Sequence, residues 1–275
     1  MTAATLAGAN PYVGLRPFER DDSLYYFGRR EQTSQLLEQL HSNRFLAVVG
    51  SSGCGKSSLI RAGLIPALYG GFLVERRDQW LISIMKPGDA PTLNLASALC
   101  STASGRCGNV KAAELEKLIN EDQADAVADY IRPALGADAN LLILVDQFEE
   151  LFAFRGTEDD EQFEALSPEL KRERGRNRAE AANFVDLLLA LAPVDLPIYV
   201  VLTMRSDFLG DCEVFYGLPE AMNKSRYLVP RLTRQQLRDA VQGPALLSKA
   251  QVAPRLMDTV LNDLGGRTDQ LPVLQ

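Results

Sequence analysis

Two hydrophobic rhythms alternate along the chain. Short unbroken apolar runs occur at Arg44–Val49, Trp80–Met85, Leu141–Val145 and Ile198–Thr203, with a weaker one at Tyr227–Pro230. Such runs are too short for helices and lack polar alternation, so they predict strands covered on both faces. Between them lie stretches whose apolar positions recur three and four residues apart: about 30–42 (Leu36, Leu37, Leu40), 91–101, 112–132 and 179–192. That spacing gathers apolar side chains on one stripe of a helix. Strands alternating with helices predict a mostly parallel five-stranded sheet with helices on both faces. No repeat occurs at a solenoid or propeller period. Residues 1–22, with Pro11, Gly14 and Pro17 among small and polar residues, predict an extended arm instead of a helix.

Two stretches break the rhythm. Gly156–Arg178 (GTEDDEQFEALSPELKRERGRNR) is dense in charge, an acidic half followed by a basic half. It predicts a solvated insertion with partial helix; the alternative is a contact surface for a partner subunit or domain. From Thr233 onward the pattern is purely helical. Thr233-Arg-Gln-Gln236 fits a capping box and starts a helix that runs up to Gly243-Pro244. A second helical pattern, Val252–Leu264, stops at Gly265-Gly266. LPVLQ then begins a new apolar element, so the sequence reads as a piece of a longer protein. The expected organisation is an arm (1–22), a core (23–232) carrying the insertion 156–178, and a helical lid (233–275) that is cut short.

Composition narrows the class. At roughly 150 residues per domain, 275 residues make one large domain or one domain with a small companion. A hydrophobic fraction of 46% and a charged fraction of 24% are globular values, which excludes a disordered or collagen-like chain. Lys and Arg total 29 against 36 Asp and Glu, a net charge of −7. That balance argues against a nucleic-acid partner, because phosphate binding needs basic side chains. Cys54, Cys100, Cys107 and Cys212 form no CxxC pair, and His41 is the single histidine. Neither a disulfide scaffold nor a thiolate or imidazole metal site is expected. His41 reads as a helix-end residue suited to the dipole, and Trp80 as an anchor at a strand start. The N-terminus lacks a basic stretch followed by an apolar run, and no run approaches the ~18 residues a membrane span needs. A soluble, cytoplasmic protein with no membrane partner is expected.

The chemistry starts at Gly50-Ser51-Ser52-Gly53-Cys54-Gly55-Lys56-Ser57, followed by Ser58, which matches G-x-x-x-x-G-K-[ST] between a strand and a helix. Successive N–H groups of such a loop form a nest for anionic oxygens, and the following helix N-terminus adds donors and partial positive charge. Lys56 supplies a cation for the β- and γ-phosphates, and the Ser57 hydroxyl is a hard oxygen ligand for Mg²⁺. The expected cofactors are ATP or ADP and Mg²⁺. Cys54 occupies a variable position and reads as a small filler, with a redox role as the alternative. Leu141–Val145 runs into Asp146-Gln-Phe-Glu149-Glu150, an apolar strand ending in acids. Asp146 at a strand's carboxyl end is placed to hold Mg²⁺. Glu149 or Glu150 can take the proton of an attacking water, or both can simply suit the start of a helix. Ile198–Asp207 is a strand ending in Thr203, Arg205 and Asp207. Arg205 either pairs the γ-phosphate or pairs Asp207.

Together NPYVGLRPF, YYFGRRE, VVGSSGCGKSSLIRAGLIPAL, LLILVDQFEELF and VLTMRSDFLGD resemble the STAND NTPases, in particular the bacterial novel STAND group, which is similar to AAA+ and Orc-type ATPases. The resemblance covers about Asn10 to Gln275. It implies a three-layer αβα P-loop NTPase core with the Arg205 strand between the phosphate-loop strand and the Asp146 strand, followed by a small helical lid. It implies that Phe27-Gly28-Arg29 packs against adenine and that Arg205 is a sensor. It also implies a lid proline touching the base. Pro272 matches that residue, although the family's glycine two positions earlier is Gln270 here, and Pro244 is the alternative. The implied activity is a slow ATPase switch, closed with ADP and open to self-association with ATP, in contact with repeat or effector domains beyond this sequence. Three other readings compete. An ABC ATPase would carry an LSGGQ-type signature, which is missing. A small-molecule kinase would need a second substrate pocket and lid arginines, which Lys171–Arg178 could supply, but that run comes after Asp146 and has no other support. A nucleotide-binding module without turnover would have no use for Glu149-Glu150.

Overall fold

The computed structural model describes residues 11–71, 77–103, 111–121, 124–154 and 167–264. Its centre is a five-stranded parallel sheet in three-layer α/β order. The strands are β1 (Phe45–Gly50), β2 (Gln79–Met85), β3 (Ala139–Val145), β4 (Ile198–Arg205) and β5 (Arg226–Leu228), in sheet order β2-β3-β4-β1-β5. β4 therefore lies between the Asp146 strand and the phosphate-loop strand, as expected. Every residue of β1 and β3 is buried, which explains their unbroken apolar sequence. β2, at the sheet edge, is only partly covered. Trp80 starts it in the core, its ring 5.1 Å from that of Tyr199.

The helices are α1 (Arg30–Asn43), α2 after the phosphate loop, α3 (Pro91–Ala103), α4 (Ala112–Asn120), α5 (Ala124–Leu135), α6 (Pro168–Leu191), α7 (Leu218–Lys224), α8 (Arg234–Leu247) and α9 (Pro254–Leu264). α2 joins Lys56–Ser58, a π-helical turn Leu59–Leu64 and Ile65–Tyr69. His41 falls in the last turn of α1. The chain packs as two compact units, one of Met1–Gln39, Val49–Leu73 and Tyr227–Gln275, the other of Leu40–Val48 and Val74–Arg226.

Four sequence expectations change. The helix predicted over 112–132 is two helices, α4 and α5, each with its own buried face. The helix predicted over 179–192 begins at Pro168, because Ser167 caps it and Pro168 is preset for a first turn. Its C-terminal half docks through Phe184, Val185, Leu187 and Leu188, and the Lys- and Arg-rich half, of good helix formers, extends that docked helix at no further nucleation cost. The basic half of the charged stretch is thus exposed helix; residues 156–166 lie outside the described residues. Within the arm, Arg20–Tyr25 forms a 3-10 helix, closed by reciprocal bonds between Glu19 and Asp22. Finally, the capping box forms as predicted at Thr233, but α8 runs through Gly243 and Pro244 to Leu247.

Gly-Pro fails to stop α8 because both residues are packed. Pro244 is buried in the helix, where it removes one backbone N–H bond. Gly243 lies under the Phe27 ring, so near that a Cβ there would be 2.4 Å from Phe27 Cγ. Below this contact Leu237 and Val241 of α8 pack with Met257 and Leu261 of α9. Two effects oppose each other at Gly243. Alanine in a helix interior normally gains about 0.5–1 kcal/mol over glycine, whereas overpacking costs about 1–3 kcal/mol. Gly243→Ala is therefore expected to lower the melting temperature followed by circular dichroism. A raised melting temperature would overturn the contact.

Candidate functional site

β1 delivers the chain to Gly50, and the loop 51–55 turns it into α2. Gly53 (φ 71°) and Gly55 (φ 88°) take the left-handed backbone that the turn requires. Gly55 is the N-cap of α2, whose first N–H groups have no acceptor within the helix. The Lys56 ammonium curls over the loop and donates to Gly50 O and Ser51 O, both at 2.9 Å. An ammonium has three donors, so this posture holds the charge at the loop while leaving a donor for phosphate. A π-helical turn follows directly, a feature frequent at functional sites.

Ser58, grouped with the loop on sequence, holds the arm: its Oγ accepts the Phe18 N–H at 3.1 Å. Arg61, one turn on, bridges to Glu19 at 2.6 Å. The same arm reaches α8, where the Tyr12 hydroxyl donates to Val241 O at 2.8 Å. No local pattern signals these partners, which lie 40 or more residues apart in the chain.

Phe27-Gly28-Arg29 splits into two roles. Phe27 and Gly28 line an open cleft of about 420 Å³ with Arg30, Gln236, Asp239 and Gly243. Arg29 instead faces the phosphate loop. It is 3% exposed; Nη1 donates to Pro230 O at 2.7 Å and Nη2 to Cys54 O at 3.1 Å. Its Nε is buried without a hydrogen-bond partner. Burial pulls the Arg29 pKa down from the usual guanidinium value and pushes the neighbouring Tyr26 and Tyr227 phenols up. Pro244 is buried within α8; Pro272 lies outside the described residues.

The acidic residues are positioned by strand register. Val145 pairs with Leu202 in parallel β3 and β4, so one step further Asp146 meets Thr203. The Thr203 hydroxyl donates to Asp146 Oδ1 at 2.6 Å and accepts the Gln147 N–H at 3.0 Å. Asp146 is 2% exposed, and its N–H donates to Met85 O at 2.8 Å. The chain then turns at Gln147 (φ 60°) into a 3-10 helix, Phe148–Phe154. That turn directs the two glutamates apart. Glu149 Oε2 accepts the Arg205 N–H at 3.3 Å, and Glu150 Oε2 accepts the Gly88 N–H at 3.0 Å. The Arg205 guanidinium pairs with Asp207 through Nη2 at 2.5 Å and lies 5.5 Å from the Phe208 ring centre. That bond holds the Asp207 carboxyl below its usual range. Arg205 Nε is buried without a partner.

Taken by itself, the phosphate loop suits an anionic ligand, with the Lys56 ammonium on loop carbonyls and the first N–H groups of α2 beyond the Gly55 N-cap. Asp146 at the end of β3 is a hard oxygen donor of the kind magnesium takes. Among the described residues no group of three or more His, Cys, Asp or Glu could hold a metal alone. A magnesium ion would need phosphate and water oxygens to complete its shell. Among the described residues no helix is long and apolar enough to cross a membrane.

Comparison with known proteins agrees with this architecture. The ORC1 protein of Aeropyrum pernix, solved in complex with DNA, superposes with a TM-score of 0.53 at 16% identity, over 90% of this chain and 58% of that one. A Walker-type ATPase of Pyrococcus abyssi gives 0.50 at 13% identity, over 94% and 67%. The ADP form of the Aeropyrum pernix ORC2 protein gives 0.50 at 13%, over 93% and 64%. At these identities the likeness is one of fold. This chain spans 58% of the ORC1 chain's length. No curated protein matches the sequence. The model of Novel STAND NTPase 1 matches residues 11–275, and the chain belongs to that family of P-loop NTPases.

Proposed function

We propose that this protein is a nucleotide-controlled switch. It binds Mg-ATP or ADP, hydrolyses ATP slowly, and uses the presence of the γ-phosphate to control opening or self-association of a larger regulatory protein. The observation that carries the proposal is the bond from the Arg205 main-chain N–H to Glu149. It ties a carboxylate able to accept a proton to the segment whose guanidinium can pair a phosphate.

In this reading the loop N–H groups and Lys56 bind the phosphates. Ser57 and Asp146 hold magnesium, which when bound neutralises phosphate oxygens. Thr203 keeps Asp146 oriented, and its bond to that carboxylate is of the charge-assisted class. Glu149 orients water and takes its proton. Arg205 exchanges Asp207 for the γ-phosphate and so reports whether that phosphate is present. A carboxylate that already accepts an N–H bond divides its lone pairs between that donor and water, which supports slow turnover. Phe27 and Gly28 are the adenine-side residues, with Pro272 or Pro244 as the lid contact. The partners are a second copy of the chain in the ATP state and the protein's own repeat or effector domains. The ORC1 protein was solved on DNA, but a net charge of −7 does not favour carrying that partner over. No membrane partner is proposed.

Lys56→Ala is expected to abolish ATP binding in calorimetry; unchanged affinity would refute the phosphate role. Glu149→Gln should retain ATP and slow turnover by about 10²–10⁴-fold, the scale of general-base catalysis, with Glu150→Gln the milder change. Equal or larger loss in Glu150→Gln would move the base to that residue. If neither variant slows turnover, the protein is a binder without catalysis. Arg205→Ala should equalise ATP and ADP affinity, and an unchanged ratio would remove the sensor. Light scattering in ADP and in a non-hydrolysable ATP analogue tests the switch, which predicts a larger particle only with the analogue.

A further inference from the structure

Arg29 immediately precedes α1, and its carbonyl accepts the Thr33 N–H at 2.9 Å and the Thr33 hydroxyl at 3.0 Å. Its main chain is thus fixed at the helix start. The guanidinium reaches two carbonyls of different segments, Pro230 O at 2.7 Å through Nη1 and Cys54 O at 3.1 Å through Nη2. Pro230 is itself anchored, because the preceding Val229 N–H donates to Val49 O of β1 at 2.8 Å. The side chain therefore spans from a fixed frame to the phosphate loop. No described peptide bond is cis, and in a trans peptide the C=O and N–H point in opposite directions. With Cys54 O directed at the guanidinium, the Gly55 N–H is turned away from it.

That orientation needs a contact to select it. Flipping the Cys54–Gly55 peptide changes ψ of Cys54 and φ of Gly55, and glycine takes either sign of φ at little cost. Gly55 itself stands at φ 88°. The groups on either side of the peptide are already committed: the Cys54 N–H donates to Ser51 O at 3.3 Å, and Gly55 O accepts the Leu59 N–H at 2.8 Å. We propose that Arg29 is a positioning residue of the phosphate loop. It holds the Cys54–Gly55 peptide so that the Gly55 N–H faces the phosphates, and it acts on the triphosphate through the loop instead of touching the base. Its charge also stays at the loop, because the ionisable groups acting on it, Tyr26, Cys54 and Tyr227, include no carboxylate. The phosphate side of this role rests on the nucleotide reading above; the hold on the loop does not.

The test compares the whole wild-type protein with Arg29→Gln, each shown to be folded by circular dichroism. Affinity is read from displacement of a fluorescent ATP analogue by ATP and by inorganic tripolyphosphate, which has the phosphates without the base. Arg29→Gln should weaken both competitors by the same factor, about tenfold or more, the scale of a lost hydrogen bond to a charged group. Loss for ATP alone would place Arg29 at the base and overturn the proposal. No loss for either in a folded variant would reduce Arg29 to a structural residue and overturn it too. Hydrogen exchange of the ligand-free proteins, followed by mass spectrometry, reads the loop itself. In Arg29→Gln the peptide carrying the Cys54 and Leu59 N–H groups should exchange about tenfold faster, with β3 and β4 unchanged. Unchanged exchange in that peptide would overturn the hold on the loop, and any loss of affinity would then belong to charge alone. If Arg29→Gln does not fold, Arg29→Lys, which keeps the charge without the planar fork, takes its place and the same readings decide. A wild-type protein that binds neither ATP nor the analogue would instead remove the nucleotide reading, leaving hydrogen exchange to decide whether Arg29 holds the loop.

Discussion

The in-register parallel pairing of β3 with β4 is the constraint on which the acidic part of the site depends. At the carboxyl ends of parallel strands the main chain runs out of ladder partners, and side chains must take over. Thr203 does so for β3 and β4. It gives its proton to Asp146 and takes one from the Gln147 N–H, closing both strand tips with one hydroxyl. A slip of one residue would turn Thr203 to the other face of the sheet and leave a nearly inaccessible carboxylate without that donor. The left-handed turn at Gln147 and the divergence of Glu149 and Glu150 follow from the same lock.

A second constraint governs the phosphate loop, and it is electrostatic. Arg29 is buried among main-chain carbonyls instead of facing an acid. Carbonyl dipoles stabilise a guanidinium less than a carboxylate does, so its charge stays only partly compensated. The lowered pKa expresses that cost. The arrangement leaves the loop with two cationic groups near its backbone, Arg29 behind it and Lys56 above it. Both favour an anion at the loop.

What was legible in the sequence was whatever is local or doubly buried. β1, β3 and β4 were visible because burial on both faces leaves no polar alternation, and the capping box at Thr233 because its partners are three residues apart. The phosphate loop was visible because its spacing is its chemistry. The start of α6 was hidden because its first turns are charged and solvated, and their helicity comes from the docked turns that follow. α8 was expected to end at Gly243-Pro244 because that pair is a good local stop. The Phe27 ring that makes Gly243 useful inside the helix is distant in sequence. Arg29 carried the same difficulty. FGR reads as one unit along the sequence, whereas in the fold Arg29 bonds the loop at Cys54 O and Phe27 packs on Gly243 of α8.

The arm shows what the motif NPYVGLRPF does structurally. Tyr12 is bonded to α8, Phe18 to Ser58 in the first turn of α2, and Glu19 to Arg61 one turn further. Phe18 is buried with its ring 5.4 Å from that of Tyr26, and Arg16 pairs with Asp22 to hold the turn between. Each neutral bond contributes only about 0.5–1.5 kcal/mol net, but they lie on one short covalent segment and so constrain each other. Ser58 follows Ser57 directly, so the residue proposed to meet magnesium is adjacent to one that grips the arm. Any displacement of that first turn strains the Phe18 bond, and the arm's other attachment is the helix against which Phe27 packs. The phosphate loop and α8 are therefore connected by a short, well-bonded strap.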